Sequence, residues 1–87
     1  MHEHGMVAGL LRQVGEIASA EGARKVVKVS VWLGALSHMS PAHFAEHFRR
    51  EAAGSLAANA ELDCAVSDDI ADPRAESVLL QSVEVET

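Results

Sequence analysis

The spacing of apolar residues predicts a long amphipathic helix at the start of the chain. From Glu3 to Glu21 apolar side chains recur three or four positions apart, which aligns them along one stripe of a helix of about five turns. Gly22 follows, and glycine ends helices readily because it adopts the left-handed conformation without steric cost. The residues of the stripe are Val7, Leu10, Leu11, Val14, Ile17 and Ala18.

The pattern then changes to strict alternation in the stretch VVKVSVWLG. A period of two is typical of a strand with one covered face. Trp32 falls on the opposite face from the apolar set. That set consists of Val27, Val29, Val31 and Leu33.

A second helix is predicted after the loop GALSHMSP. Ser40 is a good N-cap, and Pro41 suits the first helical position, where its missing N–H costs nothing. The helix is expected to run to about Ala53, to bury Phe44 and Phe48, and to end at Gly54.

Two further strands complete the pattern. AELDCAVS alternates, with its apolar set on one face at Ala60, Leu62, Cys64 and Val66. In VLLQSVEVE the pair Val78 and Leu80 is out of phase with Val83 and Val85. A bulge at Gln81 and Ser82 would place all four apolar residues on one face.

These elements predict one domain over residues 1–87. Its fold class is α/β (α+β), with two helices packed on one face of a three-stranded mixed β-sheet in the order α-β-α-β-β. The first strand, second helix and second strand form a parallel crossover. Residues 67–76, SDDIADPRAE, are acidic and contain Pro73, so we expect an exposed loop joining an antiparallel pair.

Composition removes several classes of function. The formal net charge of −6 provides no basic field for phosphates, so nucleic acid is not expected as a partner. The chain has no apolar run of about 18 residues, which predicts no membrane span and no signal peptide, and so a cytoplasmic location. Cys64 is the single cysteine, which excludes an intrachain disulfide and a Cys-x-x-Cys knuckle.

No catalytic arrangement is well supported, and we predict a protein that is not an enzyme. Glu3 with Glu21, or Asp68 with Asp69, could act as acid and base, but solvated surface carboxylates are the better interpretation. Cys64 occupies an inward strand position typical of an inert thiol. Ser37 and His38 are adjacent but have no evident orienting carboxylate.

Histidines offer the more distinctive chemistry. His43 and His47 are four residues apart on the second helix, which places two imidazoles on one face where they could hold a divalent metal. Glu51 continues that stripe. The alternative is a half-exposed helical face beside the phenylalanines. His38, in the preceding loop, could face the chain start.

The chain start supplies its own donors. A free α-amine has a pKa of about 7.7 to 8, so Met1 can offer its nitrogen to a metal near neutrality. With the imidazole of His2 and the deprotonated amides of His2 and Glu3, four nitrogens can surround one ion in a plane, as Ni(II) and Cu(II) favour. The alternative is a frayed terminus with no ligand role.

The sequence as a whole resembles the HypA/HybF family of hydrogenase nickel-incorporation proteins. The resemblance rests on the MHE start, the Leu10–Leu11 pair, EGARKVVKVSVWLGALSHMSP, the F..E.F pattern and the closing SVEVE. It implies a metallochaperone that takes Ni(II) through Met1, His2 and Glu3. It also implies that the nickel is delivered to the large subunit of a nickel-iron hydrogenase with the help of a maturation GTPase. Some members of the family also supply nickel to urease.

Departures from the family pattern are equally specific. The resemblance implies an inserted zinc domain with two Cys-x-x-Cys pairs, whereas here residues 67–76 stand in its place and no structural zinc is expected. His4 occupies a position that is usually apolar and could add or compete for a coordination position. Ala35 replaces the usual acidic residue of the loop, and Trp32 replaces a polar one.

Trp32 and Leu79 suggest a partner or homodimer surface on the open face of the sheet. A single exposed aromatic is the alternative. Two functions stay open at this point. One is nickel delivery from the chain start. The other is a metal-free adaptor that keeps the scaffold of the family but not its metal handling.

Overall fold

The computed structural model describes the backbone of residues 3–87 and the side chains of residues 5–87. Its elements are α1 (Glu3–Ala20), β1 (Lys25–Leu33), α2 (Pro41–Ala52), β2 (Glu61–Val66) and β3 (Val78–Glu86). Strand β1 is the centre of a three-stranded mixed sheet ordered β2-β1-β3. It pairs parallel with β2 and antiparallel with β3. The predicted fold class and order of elements are therefore confirmed.

Both helices end where their local sequences predict. Gly22 has a φ of 65°, and beyond it the Ala23 amide donates to the Ala18 carbonyl at 2.9 Å, which closes a Schellman motif. At the start of α2 the Ser40 Oγ accepts a hydrogen bond from the His43 amide at 3.1 Å. Gly54 follows α2 with a φ of 83°.

The core lies between the helices and one face of the sheet. Phe44 and Phe48 are fully buried, and their ring centroids are 5.8 Å apart. Ile17, predicted on the buried stripe of α1, is 39% exposed because it lies at the edge of that stripe. The other buried residues of the helices and of β1 are Val7, Leu10, Val14, Ala18, Val26, Val29, Val31, Leu33 and Ala52.

The bulge predicted in β3 is present. Ser30 pairs with Ser82, and the next residue of β1 pairs with Leu80, so Gln81 has no partner across the ladder. This extra residue shifts the alternation of side chains along β3 by one position. As a result Val78, Leu80, Val83 and Val85 all pack against the core.

A second bulge, in β1, overturns one prediction. Val26 pairs with Val85 and Lys28 with Glu84, which leaves Val27 as the extra residue. Val26 is therefore buried, whereas Val27, predicted on the covered face, is 39% exposed. Val66 was also expected to face inward, but it ends β2 and is 61% exposed.

The connection between β2 and β3 also differs from expectation. The two strands are not neighbours, because β1 lies between them. The segment 67–77 instead crosses the end of β1 and is tied to it at both ends. The Ser67 amide donates to the Leu33 carbonyl at 2.9 Å, and the Gly34 amide donates to the Ser77 carbonyl at 2.9 Å. Most of the segment is exposed as predicted, but Ala75 is buried.

Gly34 permits this crossing. A Cβ on Gly34 would lie 2.2 Å from the Ala75 carbonyl oxygen and 2.9 Å from the Arg74 carbonyl oxygen. Both are backbone atoms, which cannot move aside as a flexible side chain can. The close approach also lets the Leu36 amide donate to the Ala75 carbonyl at 2.7 Å.

We predict opposite effects for two glycine substitutions. Gly34→Ala should lower the free energy of unfolding by about 1 to 3 kcal/mol, because its methyl group overpacks against backbone. Gly15→Ala should raise it by up to about 1 kcal/mol. Gly15 is helical, and a Cβ at this position would have no neighbouring atom within 4 Å. Urea denaturation followed by circular dichroism measures both. Equal stability of the two variants would contradict the crossing described above.

Candidate metal centre

The two helices run in the same direction, so their starts lie at one end of the molecule. At that end Met6 of α1 borders a cleft with Leu36, His38 and Glu76. At the other end Ala18 of α1 borders a cleft with the residues that follow α2. The loop before α2 therefore lies beside the first turns of α1.

His38 occupies a special backbone position in this loop. Its side chain is exposed, and its φ of 60° is the only positive value of a non-glycine residue in the described part of the chain. A left-handed conformation at such a residue costs on the order of 1 kcal/mol, which the surrounding loop must supply. His38 and Met6 line the same cleft, which places His38 beside the first turn of α1.

Glu76 is a member of this cleft that the sequence did not reveal. It belongs to the acidic loop, and only the crossing over β1 carries it next to His38. No local pattern distinguishes it from Asp68 or Asp69. Asp69 stabilises a turn, since its carboxylate accepts a hydrogen bond from the Ala71 amide at 3.0 Å.

The expected nickel ligands themselves fall at the chain start. Met1 and His2 lie outside the described residues. Glu3 and His4 are described only as the first backbone positions of α1. Their ligand roles therefore stay predictions, as does that of His38.

On α2 the two histidines meet. The Nε2 atoms of His43 and His47 are 3.1 Å apart, and the ring centroids are 4.8 Å apart. Both side chains are half-buried. Within residues 5–87 no group of three or more His, Cys, Asp or Glu side chains is arranged to hold a metal ion.

The remaining candidates for catalysis are not assembled into a site. The Ser37 Oγ is buried and has no hydrogen-bond partner among the described residues, so no Ser–His pair forms there. Burial raises the pKa of the Cys64 thiol, and the charge of Asp63 raises it further. A raised pKa keeps this thiol protonated and unreactive near neutral pH. Glu21, Asp68 and Asp69 are exposed.

A family model described as hydrogenase/urease nickel incorporation, metallochaperone, hypA, matches residues 1–72. The chain belongs to the HypA family. The resemblance to the HypA/HybF family is therefore confirmed.

Relatives of this HypA-family chain include two archaeal proteins named hydrogenase maturation factor HypA. The one from Methanosarcina acetivorans is 39% identical over 61 residues, covering 70% of this chain and 46% of the relative. The one from Methanosarcina mazei is 39% identical over 62 residues, covering 71% and 45%. The chain thus spans about half the length of the curated relatives that it matches.

Two solved structures share its fold. The solution structure of the Ni metallochaperone HypA from Helicobacter pylori superposes with a TM-score of 0.81 at 22% identity, covering 99% of this chain and 98% of the other. A second solution structure of HypA protein gives a TM-score of 0.75 at 21% identity, covering 98% and 96%. No helix in the described part of this HypA-family chain is long and apolar enough to cross a membrane.

Trp32 and Leu79, the expected partner surface of this HypA-family chain, are cross-strand neighbours on the sheet. Both are half-buried. The Arg74 guanidinium carbon lies 5.4 Å from the centroid of the Trp32 ring, so the crossing segment covers part of this surface. The sequence contains no local signal for that contact, because the two residues are far apart along the chain.

Asp72 positions Arg74 over the indole. Its carboxylate accepts the Arg74 amide at 2.7 Å and the Arg74 Nε at 3.4 Å. The backbone hydrogen bond from Arg74 is the main cause of a lowered pKa of Asp72, and the guanidinium lowers it further. Any stabilisation from this turn is present above the ordinary pKa of 3.8 and is lost as the pH falls through the lower folded value.

We predict that Arg74→Ala exposes the indole. Trp32 is the only tryptophan, so tryptophan fluorescence reports on the surroundings of this one indole. Acrylamide quenching should become more efficient in Arg74→Ala, and in the unsubstituted protein only when the pH falls through the lowered pKa of Asp72, where its carboxylate loses its charge.

Arg50→Ala is the matched control, because it removes an exposed cation on α2. It should leave the quenching unchanged. Identical quenching of the Arg74→Ala and Arg50→Ala variants would show that the cation does not shield Trp32.

Proposed function

We propose that this chain is a nickel carrier for the maturation of nickel-iron hydrogenase, with urease as a second recipient. The cargo is Ni(II). When the α-amine of Met1 is free, the ligands of this ion are Met1, His2 and Glu3. The observation that carries the proposal is the match of the nickel-incorporation family from residue 1, which includes all three residues. The names of the relatives, hydrogenase maturation factor and Ni metallochaperone, support it.

The donor set suits the cargo. The α-amine, the two main-chain amides and the His2 imidazole are nitrogen donors, and together they form a plane around one ion. Ni(II) accepts such planar nitrogen ligation, whereas zinc sites are almost always tetrahedral. A site built mostly from main-chain nitrogens also needs little tertiary structure, so it can hand over its ion without unfolding the domain.

His38 and His4 are candidate additional donors. His38 lies at the end of the molecule where α1 begins, and its exposed imidazole is available to an ion there. His4 is the second residue of α1, two positions after the proposed His2 ligand. Either imidazole could complete or alter the coordination of the carried nickel.

The partners follow from the carrier role. We propose a hydrogenase-maturation GTPase and the large subunit of nickel-iron hydrogenase as the proteins that exchange the ion with this chain. The surface at Trp32 and Leu79 is our candidate for such contacts or for a homodimer. In this role the chain moves an ion and transforms no substrate, and it acts in the cytoplasm.

We further propose that residues 1–87 act as one nickel-binding domain in which residues 67–76 replace the zinc domain. Their ends are hydrogen-bonded to β1 and to the loop that follows it, so a short segment suffices to connect the two outer strands. Cys64 cannot supply a four-thiolate site alone, so structural zinc has no place in this domain.

A metal-free adaptor is the second candidate function. The absence of any Cys-x-x-Cys pair and the replacement of the zinc part favour it. An adaptor would keep the Trp32 surface for binding maturation proteins while the chain start carried no ion. Metal titration separates the two candidates.

We predict that the protein with an unextended Met1 binds one Ni(II) at the chain start, as measured by calorimetry, and develops the absorbance of a planar nickel complex. Residues fused ahead of Met1 should abolish this absorbance, since they convert the amine into an amide. His2→Ala should abolish it too, by removing the imidazole.

His38→Gly is the informative control, because glycine keeps the φ of 60° without strain. A weaker affinity in that variant would therefore report a lost ligand and not a distorted loop. Unchanged planar absorbance in the extended protein would overturn the terminal site.

We also predict that nickel affinity falls steeply with acid. Protons compete for the amine, whose pKa is about 7.7 to 8, and for the imidazole, whose pKa is about 6.5. Between pH 7.5 and pH 6.0 these two groups alone should weaken binding on the order of a hundredfold. Dissociation constants from titrations at the two pH values test this, and equal constants would contradict nitrogen ligation.

A further inference from the structure

The histidine pair of α2 is a cluster that the proposed carrier site does not use. His43 and His47 come from successive turns of one helix, a spacing that places both rings on one face. Their Nε2 atoms are 3.1 Å apart, so each ring presents the same nitrogen to a common point.

That separation can be compared with the geometry of a metal ion. Imidazole nitrogens lie about 2.0 to 2.1 Å from a first-row divalent metal. Two such bonds at a right angle hold their nitrogens about 2.9 Å apart, and two at a tetrahedral angle about 3.3 Å apart. The observed 3.1 Å lies between these values, so the pair can bind one metal ion with little movement in either geometry. Imidazole is a common ligand of Cu(II) and Ni(II), and Cu(II) binds such sites most tightly among the first-row divalent metals.

We propose that His43 and His47 form a second cation site, which binds Ni(II) or Cu(II) through both Nε2 atoms with water in the other positions. The site is separate from the one proposed at the chain start and needs no free amine. In the unloaded protein one Nε2–H donates to the other Nε2. On binding, that proton moves to Nδ1 of the same ring, so both Nε2 lone pairs reach the ion without net proton release.

The surroundings suit a weakly held cation. Both rings are half-buried, which limits their motion while leaving a path for an aqueous ion. Ser40 caps the helix at the His43 amide, so the first turn that carries His43 is well fixed. The net charge of −6 favours cations over anions at the surface.

The location gives the site a use. α2 begins at the end of the molecule where α1 begins, because the loop before α2 shares a cleft with Met6. A histidine pair at this end could hold an ion in transit to or from the chain start. Irving–Williams order predicts tighter binding of Cu(II) than of Ni(II).

The test uses the full chain extended ahead of Met1, in which the terminal amine is absent. NiCl₂ and CuCl₂ are titrated by calorimetry, and thermal unfolding is followed with and without each metal. We expect one ion bound and a higher Tm with metal, since a ligand of the folded state stabilises it. The double variant His43→Ala with His47→Ala should bind at least tenfold more weakly and lose the Tm increase.

A matched control keeps the number of histidines. His47→Ala combined with Arg50→His leaves two imidazoles seven residues apart, about 10.5 Å along the helix, too far to share one ion. It should behave as the double alanine variant does. Binding by this control as tight as that of the unsubstituted pair would overturn the proposal, as would an extended chain that binds neither metal.

This design tests the two proposed sites independently, so that one proposal can be wrong while the other holds. The planar nickel absorbance of the protein with an unextended Met1 reports the proposed terminal site, and the double alanine variant should keep it. Loss of that absorbance in the double alanine variant would assign the ion at the chain start to α2 instead and would overturn the separation of the sites.

Discussion

The pairing of β1 on both of its edges is the constraint on which the rest of the structure depends. This strand carries β2 on one side and β3 on the other, and four of its side chains are almost completely buried. Neither outer strand has another partner in the sheet. Because two strands alone are marginal in water, the third strand and the helices over it make the sheet stable.

The position of β1 between its partners forces the chain to cross from one outer strand to the other. The crossing passes the end of β1, and it can do so closely because position 34 has no side chain. It carries Arg74 to the open face of the sheet and Glu76 to the cleft beside His38. One short connection thus contributes side chains to two separate surfaces.

The same topology brings the beginnings of both helices to one end of the molecule. A parallel pair of strands requires α2 to return along the sheet, and α1 lies beside α2 in the same direction. The first turns of α1, the strained His38 loop and the first turns of α2 therefore share one end. Imidazoles from the loop and from α2 lie at this end, where α1 begins.

Local chemistry was readable without a structure. The ends of both helices follow from Gly22, Ser40 and Pro41, because capping involves neighbouring residues only. The bulge at Gln81 was equally visible, since a change of phase within one strand requires an extra residue. The i and i+4 spacing placed His43 and His47 on one face for the same reason.

Other features depended on contacts between residues distant in sequence. The bulge at Val27 arises from its register against β3, which the alternation within β1 does not contain. The order β2-β1-β3 is set by which edges can pair and bury side chains together, and the expectation from sequence that β2 and β3 form an antiparallel pair was wrong. The contacts of Arg74 with Trp32 and of Glu76 with the His38 cleft exist only because the chain crosses β1. Sequence periodicity indicates which residues within one helix or one strand lie on the same face. Only the tertiary fold decides which residues distant in sequence come into contact.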